Sequence, residues 1–159
     1  MPRMRILSAS EQACLDRPPV LDSLERKRFF TFSKSQLETA SRMRRKASQI
    51  GFLLMCGYFR AARKFFSSND FHARDIAYVA HLMGISPDDF QPRTYKDTTR
   101  LRHQRIILGF YGFRPFDGQV EAILAQEIAK MTRGLLKPRL IFGRCLDFSI
   151  STAESRLSW

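Results

Sequence analysis

The sequence predicts an all-α fold, a compact multi-helix domain, on three observations. Ser- and Asp-led cap signals recur ahead of apolar runs, apolar residues repeat at helical spacing, and strand-type alternation never persists beyond a few residues. With 159 residues, 44% of them hydrophobic and fourteen of them Phe, the chain can enclose a core as one ordinary domain or as two small helical subdomains.

The elements follow in order. Ser8 and Glu11 have capping-box spacing, in which side chain and backbone satisfy each other's hydrogen bonds, so a short helix runs toward Leu15. Pro18-Pro19 stops it, and Val20, Leu21 and Leu24 support another turn or two before Arg26-Lys27-Arg28. Ser33 and Gln36 repeat the box and open a helix with Leu37, Ala40 and Met43 on one face. Ser48-Gln49 or Gly51 separates that helix from the next, whose Phe52, Leu53, Met55, Cys56 and Phe59 are apolar nearly all round, as in a central core helix.

After the polar break Ser67 to Asp70, Ile76, Val79, Ala80 and Met83 mark a helix closed by Gly84, and Ser86-Pro87 restarts a short one. A longer helix runs from Asp97 or Thr98 to about Phe110, with Leu101, Ile107, Leu108 and Tyr111 as its inward residues, and Gly112 to Pro115 ends it. Asp117 caps a helix striped with Val120, Ile123, Leu124, Ile128 and Met131 and closed by Gly134. Beyond Pro138, Leu140, Ile141, Leu146 and Phe148 support one more. The expected organisation is a helical subdomain over 1–92, a second over 93–150, and a Ser-rich tail over 151–159.

The formal charge of +12 implies a polyanionic partner. Glu38 and Asp70 bracket a stretch without an acid that holds Arg42, Arg44, Arg45, Lys46, Arg60, Arg63 and Lys64. Seven cations without counter-charges repel one another, a cost that bound phosphates offset, so this stretch is expected to anchor a nucleic-acid backbone. A second basic group, Arg93, Lys96, Thr99, Arg100, Arg102, His103, Gln104 and Arg105, mixes cations with side chains able to bond base edges. That mixture suits a recognition helix within helix-turn-helix-like DNA-binding units; the alternative is a solvated face with His103 turned into the core.

Other chemistry finds little support. Asp88-Asp89 is the one adjacent acid pair and reads as a helix cap; His72, His81 and His103 lack the i, i+4 pairing of helical metal sites. Cys14, Cys56 and Cys145 are odd in number and far apart, which argues against a disulfide framework or a zinc site and for reduced thiols in a cytoplasm. No phosphate loop or nucleophile elbow is present, so no catalytic residue, metal or cofactor is expected. The start has basic residues but no apolar signal region, and the greasiest run, Ile50 to Phe59, is roughly half of the ~20 residues that a membrane span needs.

Several segments together resemble the N-terminal region of Tn-three-type transposases, the cointegrate-forming transposases of class II bacterial transposons. They are Ile6-Leu7-Ser8 with Glu11, Phe32-Ser33, Gly51-Phe52 followed by Tyr58-Phe59, and Tyr78-Val79-Ala80 with Leu82 and Gly84-Ile85. The most specific are Thr99 with His103 and then Gly112-Phe113-Arg114-Pro115-Phe116. The resemblance implies a helical region that binds double-stranded DNA at terminal inverted repeats in a bacterial cytoplasm, at the nucleoid, with transposase subunits as further partners and no membrane. It implies that Arg45, Thr99, Arg100, His103 and Arg114 face DNA, and that the acidic triad and its divalent metal lie in a downstream ribonuclease-H-like domain. The alternative is a truncated regulatory module that binds full-length transposase and inhibits transposition. Arg63 and Phe66 depart from the pattern Gly, Arg, Phe, Pro common in the family and break its expected turn, and the segment after Ile150 has no counterpart.

Overall fold

A computed structural model describes residues 6–114, 117–134 and 137–145, which are helical with no strand among them. The chain divides into two units: Ala13–Ile107, and residues 1–12 with 108–159. The stretch from Arg93 to Ile107 therefore belongs to the same unit as the residues before it.

Helix α1 is Ala9–Asp16, opened by the expected box: the Ser8 amide donates to Glu11 Oε2 at 2.9 Å and the Glu11 amide to Ser8 Oγ at 3.3 Å. Helix α2, Ser23–Phe29, has a box of its own on Asp22 and Glu25 and takes Arg26, Lys27 and Arg28 into its last turn, where the helix dipole favours cations. The Ser33 and Gln36 box opens α3, Lys34–Ser41.

The break after α3 falls at Arg42–Arg45, earlier than expected, and α4, Lys46–Ala62, runs straight through Gly51. Gly51 lies there for a packing reason. A Cβ at that position would stand 2.9 Å from the Tyr95 ring, and one at Gly57 would strike Phe30. Two rings therefore press directly onto the α4 backbone. Residues Ile50 to Phe59 are all buried, so α4 is the core rod that the all-round apolar pattern predicts.

Helix α5, Ala73–Leu82, ends as expected at Gly84, whose φ of +64° is cheap only for glycine. Asp75 on α5 is fully buried and accepts from Arg26 Nε at 2.6 Å and from the Tyr58 hydroxyl at 2.6 Å, which ties α2, α4 and α5 together. Burial, reinforced by the hydrogen bond to Asp75, pushes the Tyr58 phenol well above its ordinary range. Short 3-10 turns at Pro87–Asp89 and Pro92–Thr94 lead to α6, Asp97–Phe110. Its Ile107 is buried, but Leu101, expected inward, is 53% exposed.

In the other unit, Asp117 accepts from the amides of Gln119 and Val120 and opens α7, Gly118–Arg133. Residues 138–145 form α8, and its Arg139 pairs with Glu11. Pro115, Phe116, Leu146, Phe148 and the tail 151–159 lie outside the described residues. No described helix is long and apolar enough to cross a membrane.

Candidate nucleic-acid interface

The seven cations of the acid-free stretch separate to opposite ends of α4, a rod about 25 Å long. Arg42, Arg44 and Arg45 crowd its N-terminus, in the turn from α3. At the C-terminus Arg60 donates to the Thr31 carbonyl and Lys64 to the Leu15 carbonyl, while Arg63 takes the left-handed conformation, φ 53° and ψ 31°, with its guanidinium 6.0 Å from the centre of the Phe59 ring. The seven do not lack counter-charges, as composition suggests: Lys46 pairs with Asp89 at 3.1 Å and Lys64 with Asp16 at 3.5 Å. Asp89 thus serves as an ion-pair partner and not as a cap. Arg63 occupies the left-handed position that a glycine takes without strain, so the turn forms despite the departure from the family pattern.

The N-terminal three meet the second basic group. An open groove of about 640 Å³ lies between the turn Arg42–Arg45 and α6. Arg42, Arg44, Arg45 and Ser48 line one wall and Lys96, Thr99 and Arg102 the other, with Met43, His103 and Ile106 also contributing. No acidic side chain lines it, and among the described residues these five cations have no ion-pair partner. The Arg45 side chain makes no cap bond, so the positive end of the α4 dipole adds to the field. Such a site attracts an extended polyanion, because phosphate oxygens can accept from both walls at once.

The remaining expected residues fall elsewhere. Arg100 turns to the flank of α6 and bonds Asp97 at 3.2 Å, and Arg105 is exposed on the outward face. Arg114 belongs to the other unit and is held by Asp117 and Gln119, each at 3.2 Å. His103, expected to face DNA, is 2% exposed and fixes α6 to the core. Its Nδ1 lies 2.7 Å from the Tyr95 hydroxyl, which is also 2.9 Å from Met55 Sδ, and its ring stands edge-on to Phe52 at 5.4 Å. Burial, with a smaller contribution from Arg102, lowers its pKa to about 4 and keeps the imidazole neutral.

The sequence reading missed Thr39, Met43, Ser48 and Ile106 as groove residues. The i, i+3, i+7 spacing of Thr99, Arg102 and Ile106 was the available signal for one wall, but nothing in the sequence says that the Arg42–Arg45 turn opposes it. Among the described residues no His, Cys, Asp and Glu groups could hold a metal ion. The pair α3 and α4, joined by a four-residue turn, has helix-turn-helix connectivity, yet its second helix is enclosed from Ile50 to Phe59 and cannot lie in a DNA groove.

The chain is 26% identical over 149 residues to the transposase for transposon Tn501 of Pseudomonas aeruginosa, an alignment that covers 92% of the chain. The chain spans about 15% of the length of that relative. A family model described as a domain of unknown function, DUF4158, matches residues 6–151, nearly all of the chain, which therefore belongs to that family.

Proposed function

We propose that this chain is the N-terminal DNA-binding region of a Tn-three-type transposase and binds the terminal inverted repeats of its element as duplex DNA, with strand transfer supplied by other parts of the protein. The observation that carries this reading is the acid-free groove, where cations from two distant stretches of sequence face the same space. A phosphodiester backbone held there neutralises Arg42, Arg44 and Arg45 on one wall and Lys96 and Arg102 on the other, while the exposed face of α6 meets the bases beside it. The likeness to the Tn501 transposase supports the element-end assignment, and the recognition-helix role stays with α6, since α4 is enclosed.

The test is a titration of fluorescent transposon-end duplex against a scrambled duplex of the same composition at several salt concentrations. The end should bind at least about tenfold more tightly, and Arg105→Ala, on the exposed face of α6, should reduce that preference. Equal affinity for both duplexes at every salt concentration would defeat the reading.

A further inference from the structure

Helix α6 turns one side to the core and another to solvent, and the composition of the solvent side is unusual. At 100° per residue, buried His103 and Ile107 define the inner side, and Thr98, Leu101, Arg102 and Arg105 stand opposite. All four are exposed, with Leu101 53% accessible beside two guanidinium groups. The acid in the first turn, Asp97, is engaged by Arg100 at 3.2 Å.

We propose that this outward face reads base edges in the major groove, with Leu101 seated against the 5-methyl group of a thymine and Arg105 beside it. The inference rests on the reading that the chain binds duplex DNA, and it names the residues that give that binding its sequence preference. The major groove is an anionic surface that also offers an apolar group: thymine presents a methyl there, guanine presents two acceptors that match a guanidinium, and phosphates flank both. A track that served phosphates alone would gain nothing from a leucine at its centre, and an apolar protein partner would have to desolvate both arginines. Arg102 lines the groove across from Arg42–Arg45 and holds phosphate there, so a backbone strand in the groove runs alongside a helix placed against the bases.

The experiment starts from a randomised duplex pool, from which the whole chain recovers its preferred sequence, and then replaces each thymine of that duplex with uracil in turn. Uracil lacks only the methyl. One replacement should weaken binding roughly fourfold, the worth of one methyl-sized apolar contact. Leu101→Ala should bind the thymine and uracil forms of that duplex equally, and its melting temperature should match that of the parent because Leu101 is exposed. If the parent selects a duplex yet ignores every thymine methyl, the role of Leu101 is wrong while DNA binding stands. That role is equally wrong if Leu101→Ala keeps the methyl preference. Recovery of no preferred duplex overturns both.

Discussion

The two ends of α4 carry similar cations and do opposite things. At the C-terminal end, Arg60 and Lys64 give their hydrogen bonds to backbone carbonyls, beside the end of the helix where the dipole favours positive charge. At the N-terminal end, Arg42, Arg44 and Arg45 sit against the positive end of the same dipole, facing Lys96 and Arg102 across the groove. Among the described residues none of these five cations has an ion-pair partner, and only Lys46 at that end is paired, with Asp89. The first cluster stabilises a helix end; the second does not, which is the arrangement expected of cations kept for a ligand. The acid-free composition of the stretch, identical in kind along its length, hides this division.

The comparison can be broken from the anchored end first. Asp75→Ala leaves Arg26 and the Tyr58 hydroxyl without their buried partner and should cost about 3–5 kcal/mol, read by urea unfolding. The folded fraction should keep the DNA affinity of the parent, because Asp75 does not line the groove. A loss of affinity per folded molecule would show that the two ends are coupled.

At the open end the expected signs are reversed. Replacing Arg42, Arg44 and Arg45 together by Gln should flatten the slope of log affinity against log salt by about 2.7, at ~0.9 per lost phosphate contact. It should also raise stability at low salt by up to about 1 kcal/mol, since like charges leave a helix N-terminus. Arg60→Gln is the counterpart: it should lower stability by about 1 kcal/mol and leave the salt slope unchanged. Matching salt slopes for the two variants would remove the distinction between the ends.

The helical fold was largely legible in the sequence because caps and apolar periodicity are local signals: the boxes at Ser8 and Ser33, the Asp117 cap and the stop at Gly84 all stand where the pattern put them. The break between α3 and α4 was misplaced because Gly51 resembles a helix breaker, whereas its absent side chain admits the Tyr95 ring from 44 residues away. The candidate site was legible in composition but not in arrangement. Both basic groups were visible, yet which cations face a common space depends on how the 42–45 turn meets α6, a contact between distant parts of the chain. His103 shows the same limit: the resemblance implied that it faces DNA, while Phe52, Met55 and Tyr95 enclose it, as in the alternative that turned it into the core.

That enclosure gives folding stability a pH dependence of known sign. The folded pKa of His103, about 4, lies below its ordinary 6.5, so the unfolded chain binds the proton more readily between those values. The contribution is complete above pH 6.5 and is lost as the pH falls toward 4, at no more than about 1.4 kcal/mol per pH unit. His103→Gln should be less stable at neutral pH and should lack this part of the slope when denaturant midpoints are followed across that window. An unchanged slope would place the titration elsewhere.

The smallest effect belongs to Arg63, at the end of α4 where the fold uses its cations. A non-glycine residue at φ 53° carries about 1–2 kcal/mol of steric cost, which Gly would relieve. Against that stand the greater chain entropy of glycine in the unfolded state, about 0.5–1 kcal/mol, and the loss of the exposed contact with the Phe59 ring, about 0.5 kcal/mol. Arg63→Gly should therefore shift stability by no more than about 1 kcal/mol, centred slightly on the stabilising side, while Arg63→Val, β-branched and worse suited to positive φ, should lower it by about 1 kcal/mol or more. The order Gly above Arg above Val in urea midpoint is the result that counts. If Gly fell below Arg, the contacts of the arginine, and not its backbone, would dominate this turn, and the C-terminal end of α4 would depend on its cations even more than the Thr31 and Leu15 carbonyls indicate.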